Sequence, residues 1–352
     1  MPTRTWRGTI NNNWNLLGNW LEGAVPLATD DVVFDATSPN CTLDIAGVAL
    51  TLVCTNYTNT LTFTNSLTVS GNITLGASMG TAGTANLVVG ATSTIRSNGC
   101  VLTTVPLTFS AATITATLFD NWSVDTLIFP NAQITLTSNT LIVNSTITIN
   151  TTTSAIPGTT TIDFRGTTIT SSMTSGTFRC PLTINSTSLV NVTSTASGFK
   201  YLTGTLTVLS SVNWGTGGLS ISGTAILNLN GYGLNKGAMF MSNGGTLTLN
   251  SDIGTIGTFF TAIGNGVSGN FNILISSTVG VKRKIIIPDT VPQEVSYANF
   301  TDIDASNGKQ IVGYLGTITR CSNITRVNTA QILTLLGHPY EVRSFGITNG
   351  RV

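Results

Sequence analysis

Charge is scarce in this chain. Lys, Arg, Asp and Glu together make up 8% of its 352 residues, against a usual ~25% in soluble proteins. The net balance is +1, which leaves no basic footprint for nucleic acid. The sole basic run, Lys282-Arg283-Lys284, reads as a solvated strand edge. The five cysteines (Cys41, Cys54, Cys100, Cys180, Cys321) are scattered, without a CxxC pair. That spacing argues against a zinc knuckle and a disulfide framework, and the residues read as small buried hydrophobes. The one histidine, His338, precedes Pro339 far from any carboxylate cluster and reads as structural. No apolar run approaches the ~18–20 residues of a membrane helix, so membrane insertion is not expected. Met1 to Arg7 carries no apolar h-region, and the expectation is synthesis in a reducing cytoplasm.

Hydrophobic content is 41%, Gly numbers 36, and Thr, Ser and Asn fill most polar positions. Thr is comfortable in strands and Asn in tight bends. Hydrophobic-Thr-hydrophobic triplets recur about every twenty residues, the signature of a solenoid. They start at Leu67, Leu87, Leu107, Leu127 and Ile147, and resume at Ile162, Leu182, Leu206, Ile226 and Leu247. A second short run often follows by about seven residues, as at Ile114, Ile134 and Leu189. Helical periodicity is almost absent, and alternation with period two dominates.

The pattern predicts an all-β fold, a right-handed parallel β-helix with about twenty residues per coil. Residues 1–45 form an N-terminal cap with Trp6, Trp14, Trp20 and Pro26, residues 46–280 the β-helix, and residues 281–352 irregular closing coils. A solenoid needs such a cap because its first coil otherwise exposes core and strand edges. Leu67, Leu87, Leu107, Leu127 and Ile147 should form one aliphatic core ladder. Val69, Val89, Phe109, Phe129 and Ile149 should form the next, with the intervening residues facing out. Asn328 to Leu336 reads as a short helix and Tyr340 to Ile347 as a last strand.

Chemistry is hard to find. Asp and Glu number 14, with none between Ile45 and Phe119 or between Phe164 and Ser251. The regular middle holds only Asp120, Asp125 and Asp163. Asp120 and Asp125 flank Trp122, which fits either a turn capped by Asx side chains or a candidate glycan contact with an aromatic platform. The acidic clusters Asp30/Asp31/Asp35 and Asp302/Asp304 fit turn capping better than calcium, having no EF-hand or nonapeptide pattern. No Gly-x-Ser-x-Gly elbow and no Gly-rich phosphate loop occur. Neither metal nor cofactor is expected.

The start of the chain has a pattern of its own. It reads Thr5-Trp6-Arg7-Gly8, Asn13-Trp14, Gly18-Asn19-Trp20, Val25-Pro26 and Asp30-Asp31-Val32-Val33-Phe34-Asp35. It continues through Leu61-Thr62-Phe63 and Leu67-Thr68-Val69-Ser70-Gly71. This resembles the opening of β-solenoid proteins of tailed bacteriophages and prophages, and more loosely of bacterial surface adhesins. The segment Val295 to Asp302, with Ala305 and Gly308-Lys309, is similar to their closing coil. The resemblance implies a non-enzymatic structural protein of a tailed-phage virion, a homotrimer acting as capsid cement, decoration or fibre beside other virion proteins. A receptor-binding tailspike that cleaves host surface glycan is the first alternative. It would need two carboxylates ~5–9.5 Å apart. A bacterial surface adhesin is the second.

Overall fold

A computed structural model describes residues 1–110, 113–130 and 133–150 and, with short interruptions, 155–252, 272–285 and 293–327. The predicted helix at Asn328 to Leu336, the predicted last strand, His338 and Cys180 lie outside the described residues. Over the described residues the protein is an all-β parallel solenoid with coils of about twenty residues. Among them no helix is long and apolar enough to cross a membrane.

Each early coil carries three short strands, one per face. Thr60–Phe63, Leu67–Val69 and Ile73–Thr74 form one such set, and Gly80–Gly83, Leu87–Val89 and Ser93–Arg96 the next. Every strand pairs in parallel with its equivalent in the neighbouring coil. The third face extends over seven strands, from Thr3–Thr5 to Gln133–Thr137. Trp122–Phe129 and Thr140–Ile149 run continuously through the corner between the first and second faces. A register shift between Val124 and Thr126 lets the chain turn there without losing its pairing.

Inside, the side chains stack by kind. Leu67, Leu87, Leu107, Leu127 and Ile147 lie opposite one another in successive coils of the second face. All five are at most 1% exposed, and each contributes roughly 1.5–3 kcal/mol by leaving water. Beside them, Phe109 and Phe129 stack at 5.7 Å between centroids. The outward row is Thr68, Val88, Thr108, Ile128 and Thr148. Thr68 and Thr148 are half-buried as expected of outward residues, but Val88 and Thr108 are buried. The register seats Thr108 between the branched side chains of Val88 and Ile128, and its Oγ1 has no hydrogen-bond partner.

The second series of triplets is not a continuation of the first. Ile162 pairs with Leu141, on the first face, whereas Ile147 pairs with Ile169 on the second. The first-face ladder runs Leu141, Ile162, Leu182 and Leu206, and the residue paired with Leu206 in the next coil is Leu227, not Ile226. Ile226 faces out and is 40% exposed. It pairs with Thr248, and the neighbouring ladder position falls on Leu249, which is buried. Alternation tells inside from outside within a strand. It does not tell which of three chemically similar faces the strand belongs to.

Asparagine closes the corners. Asn98, Asn139, Asn230 and Asn323 all have φ between 48° and 55°, a left-handed conformation that Asn tolerates better than other side chains. Each also donates its amide nitrogen to a carbonyl one coil earlier, those of Leu75, Leu118, Val208 and Ala305, at 2.7 to 3.0 Å. One residue type thereby supplies both the bend and a tie between coils. Gly83 solves a different corner. It has φ +95°, and a Cβ there would stand 2.2 Å from the carbonyl oxygen of Phe63, which excludes any other residue without backbone movement.

The first 45 residues fold over the end of the stack. Trp6, Trp14 and Trp20 are at most 2% exposed. Trp20 meets Trp6 and Trp14 edge-on, with ring centroids 5.1 and 4.8 Å apart, the geometry that aromatic quadrupoles favour. Two of the indole nitrogens donate inside the cap, Trp6 Nε1 to Pro39 O at 3.1 Å and Trp20 Nε1 to Trp14 O at 2.9 Å. Pro26 is also buried. The leucine ladder ends under this cluster at Gly47, which pairs with Leu67. A Cβ on Gly47 would stand 2.9 Å from side-chain atoms of Leu43 and Leu67 and 3.4 Å from the Trp14 ring. The position is glycine because the cap fills it. Buried Asn19 ties the loop down, accepting from the amides of Ile10 and Asn11 and donating to Asn11 Oδ1 and Asn13 O.

Candidate functional site

The residues singled out around Trp122 do not form a surface platform. Trp122 is fully buried, and its Nε1 donates to Ile95 O at 3.4 Å. It starts a strand in which Trp122 and Val124 both point inward, so its ring offers no face to a sugar. The three residues do not share one bend either. Asp120 precedes the strand, and Asp125 sits inside it at the register shift. The Asp120 carboxylate accepts from the amides of Ser97 and Asn98 at 2.8 and 2.7 Å, the capping role that Asx residues perform in turns. Asp163 pairs with Arg165 at 2.7 Å.

The other acidic clusters are likewise committed. Asp30 is buried against Arg4 at 2.8 Å, and that guanidinium draws its carboxyl below the usual carboxylate range. Asp31 accepts from Thr51 Oγ1, and Asp35 accepts from Thr37 and pairs with Arg7 at 3.0 Å. In the closing coils Asp302 takes a two-pronged contact from Arg320, both bonds 2.6 Å, and a third from the Gly280 amide. Arg320 lowers its pKa to about 2. Asp304 caps Ser306. Among the described residues no group of three His, Cys, Asp or Glu side chains could hold a metal ion. Cys41, Cys54 and Cys100 are buried and unpaired. Burial raises the thiol pKa of all three, that of Cys100 to about 11, so they remain protonated and unreactive.

The exposed aromatic of this region is Phe119, immediately before Asp120. Inward Ile114, Ala116 and Leu118 alternate along Thr113–Leu118, and the next residue falls outside. Its ring is 56% exposed. One coil earlier, Ile95 points inward, pairs with Leu118, and leaves Arg96 outside. The Arg96 guanidinium carbon lies 3.4 Å from the centre of the Phe119 ring. One coil further back Arg96 pairs with Thr74. Asn72, Ile73, Thr74, Thr94, Arg96 and Phe119 thus line one groove of about 540 Å³ across three coils of the third face. Strand parity at Ile95 and Leu118 already put both side chains outside. Their meeting depends on the register, which residue spacing alone did not reveal.

The chain matches no family model, no curated protein and no solved structure.

Proposed function

We propose that this chain is a structural component of a tailed-phage virion, a rigid β-solenoid assembled as a homotrimer. In this reading it serves as capsid cement, decoration or fibre, is made in the host cytoplasm, and works without catalysing a reaction. The observation that supports it best is how the described side chains are spent. Inward residues build continuous aliphatic and aromatic ladders, Asn side chains tie coil to coil, and the described acids of the regular coils mostly cap turns or pair with arginine. A stack held this way is stiff along its axis, because each coil is paired on both sides and its core is close-packed. The near absence of charge on its Thr- and Ser-rich flanks suits close packing against like copies.

Gold-labelled antibody against the chain, viewed by electron microscopy on particles and on host cells, tests the reading. Labelling of capsid or tail supports it. Label confined to the bacterial envelope would favour an adhesin and overturn it.

A further inference from the structure

We propose that the groove between Arg96 and Phe119 binds a carboxylated sugar, such as a uronic acid residue within a polysaccharide. Arg96 carries the argument. The ion pairs among the described residues engage Arg4, Arg7, Arg165 and Arg320, and none engages Arg96. The acid nearest in sequence is Asp120, whose oxygens are held by the Ser97 and Asn98 amides. Among the described residues Arg96 is therefore a cation without a carboxylate, and its guanidinium carbon lies over the Phe119 ring. A guanidinium seated over an aromatic ring keeps its N–H edge available to a planar, two-oxygen acceptor.

The rest of the groove matches the rest of such a ligand. The half-exposed Phe119 ring gives an apolar surface for sugar C–H groups. Thr74 and Thr94 supply hydroxyls, and Asn72 supplies an amide whose Oδ1 already accepts from the Thr94 N–H at 2.9 Å, leaving Nδ2 to donate. A space of about 540 Å³ suits one or two sugar rings. An arginine fork pairs in two-pronged fashion with a carboxylate as with other oxyanions, and with Arg96 the single cation of the lining the groove matches one singly charged, planar group. No carboxylate lines the groove to repel the ligand or to cleave it, so the site binds without turnover.

Titration of the full chain with tetragalacturonate, followed by ligand-observed NMR, tests this. Maltotetraose serves as the neutral probe and a sulfated tetrasaccharide as the second anion. Tetragalacturonate should bind best of the three. Arg96→Gln and Phe119→Ala should each weaken it about ten-fold or more, with Arg96→Lys in between, because Lys keeps the charge and loses the planar fork. Asp125→Asn, remote from the groove lining, should leave binding unchanged, and circular dichroism should show each variant folded. Absence of tetragalacturonate binding to the wild type overturns the proposal. So does equal binding of maltotetraose, tighter binding of the sulfated sugar, or full affinity in a folded Arg96→Gln variant.

Discussion

The first 45 residues hold two arginine–aspartate pairs, Arg4–Asp30 and Arg7–Asp35, and a cluster of three indoles. The coils from Gly47 to Leu118 hold no carboxylate at all. The first region meets its problem once, so each contact there is particular. Leu43, with Leu67 beside it, fills the place of a side chain at Gly47 under the Trp14 ring, and Asn19 alone satisfies four polar groups. The coils meet the same problem repeatedly, and small interchangeable contributions suffice. An end needs bespoke chemistry because nothing stacks on it, whereas an interior coil inherits its partners from above and below. The closing coils return to the logic of the cap, with Asp302 and Arg320 joined between adjacent coils.

Variants can break this contrast. The largest effect belongs to Leu107→Asp, which places an unpaired charge in a ladder that excludes water. It should cost several kcal/mol, and a loss of soluble, folded protein by circular dichroism is expected. Trp14→Ala should cost about 3–5 kcal/mol. Hydrogen exchange should show the loss concentrated in the first coils, with the Leu127 region still protected. If protection fell evenly along the stack, cap and coils would be one cooperative unit. Gly83→Ala should cost about 2 kcal/mol, through backbone strain against Phe63, read as a shift in the urea midpoint.

Smaller effects sharpen the comparison. Asn139→Ala should cost about 1–2 kcal/mol, losing one coil-to-coil hydrogen bond and the tolerance for φ 48°. The same change at Asn98 should match it closely, since interior coils are interchangeable. Acid should act on the closing coils. The folded pKa of Asp302, about 2, lies below its unfolded value of ~3.9, so its contribution is complete above pH ~4 and fades as pH falls toward 2. Exchange at the Gly280 and Arg283 amides should accelerate across that window. Arg320→Gln should raise the pKa of Asp302 and start the acceleration at higher pH.

The sequence carried the fold well and the surface poorly, for one physical reason. Stacking equal coils writes a period into the chain, and Leu67, Leu87, Leu107, Leu127 and Ile147 read directly as a ladder because each pairs with the next. The second triplet series reads like the first because Ile162 and Ile147 share local chemistry while standing on different faces. Trp122 illustrates the same limit. Flanking acids suggested exposure, yet its alternation with Val124 was the better guide to its burial. Gly47 is explained only by its neighbours Leu43 and Leu67, and the place of Arg96 only by Phe119. Such pairings are set by three-dimensional register, which period alone leaves undetermined.

The copy number of this chain per purified virion, measured by quantitative mass spectrometry against the major capsid protein, tests the structural reading most directly. The account predicts a fixed stoichiometry in multiples of three, on the order of hundreds for a decoration or about a dozen for a fibre. Fewer than one copy per particle, unchanged by further purification, would contradict it.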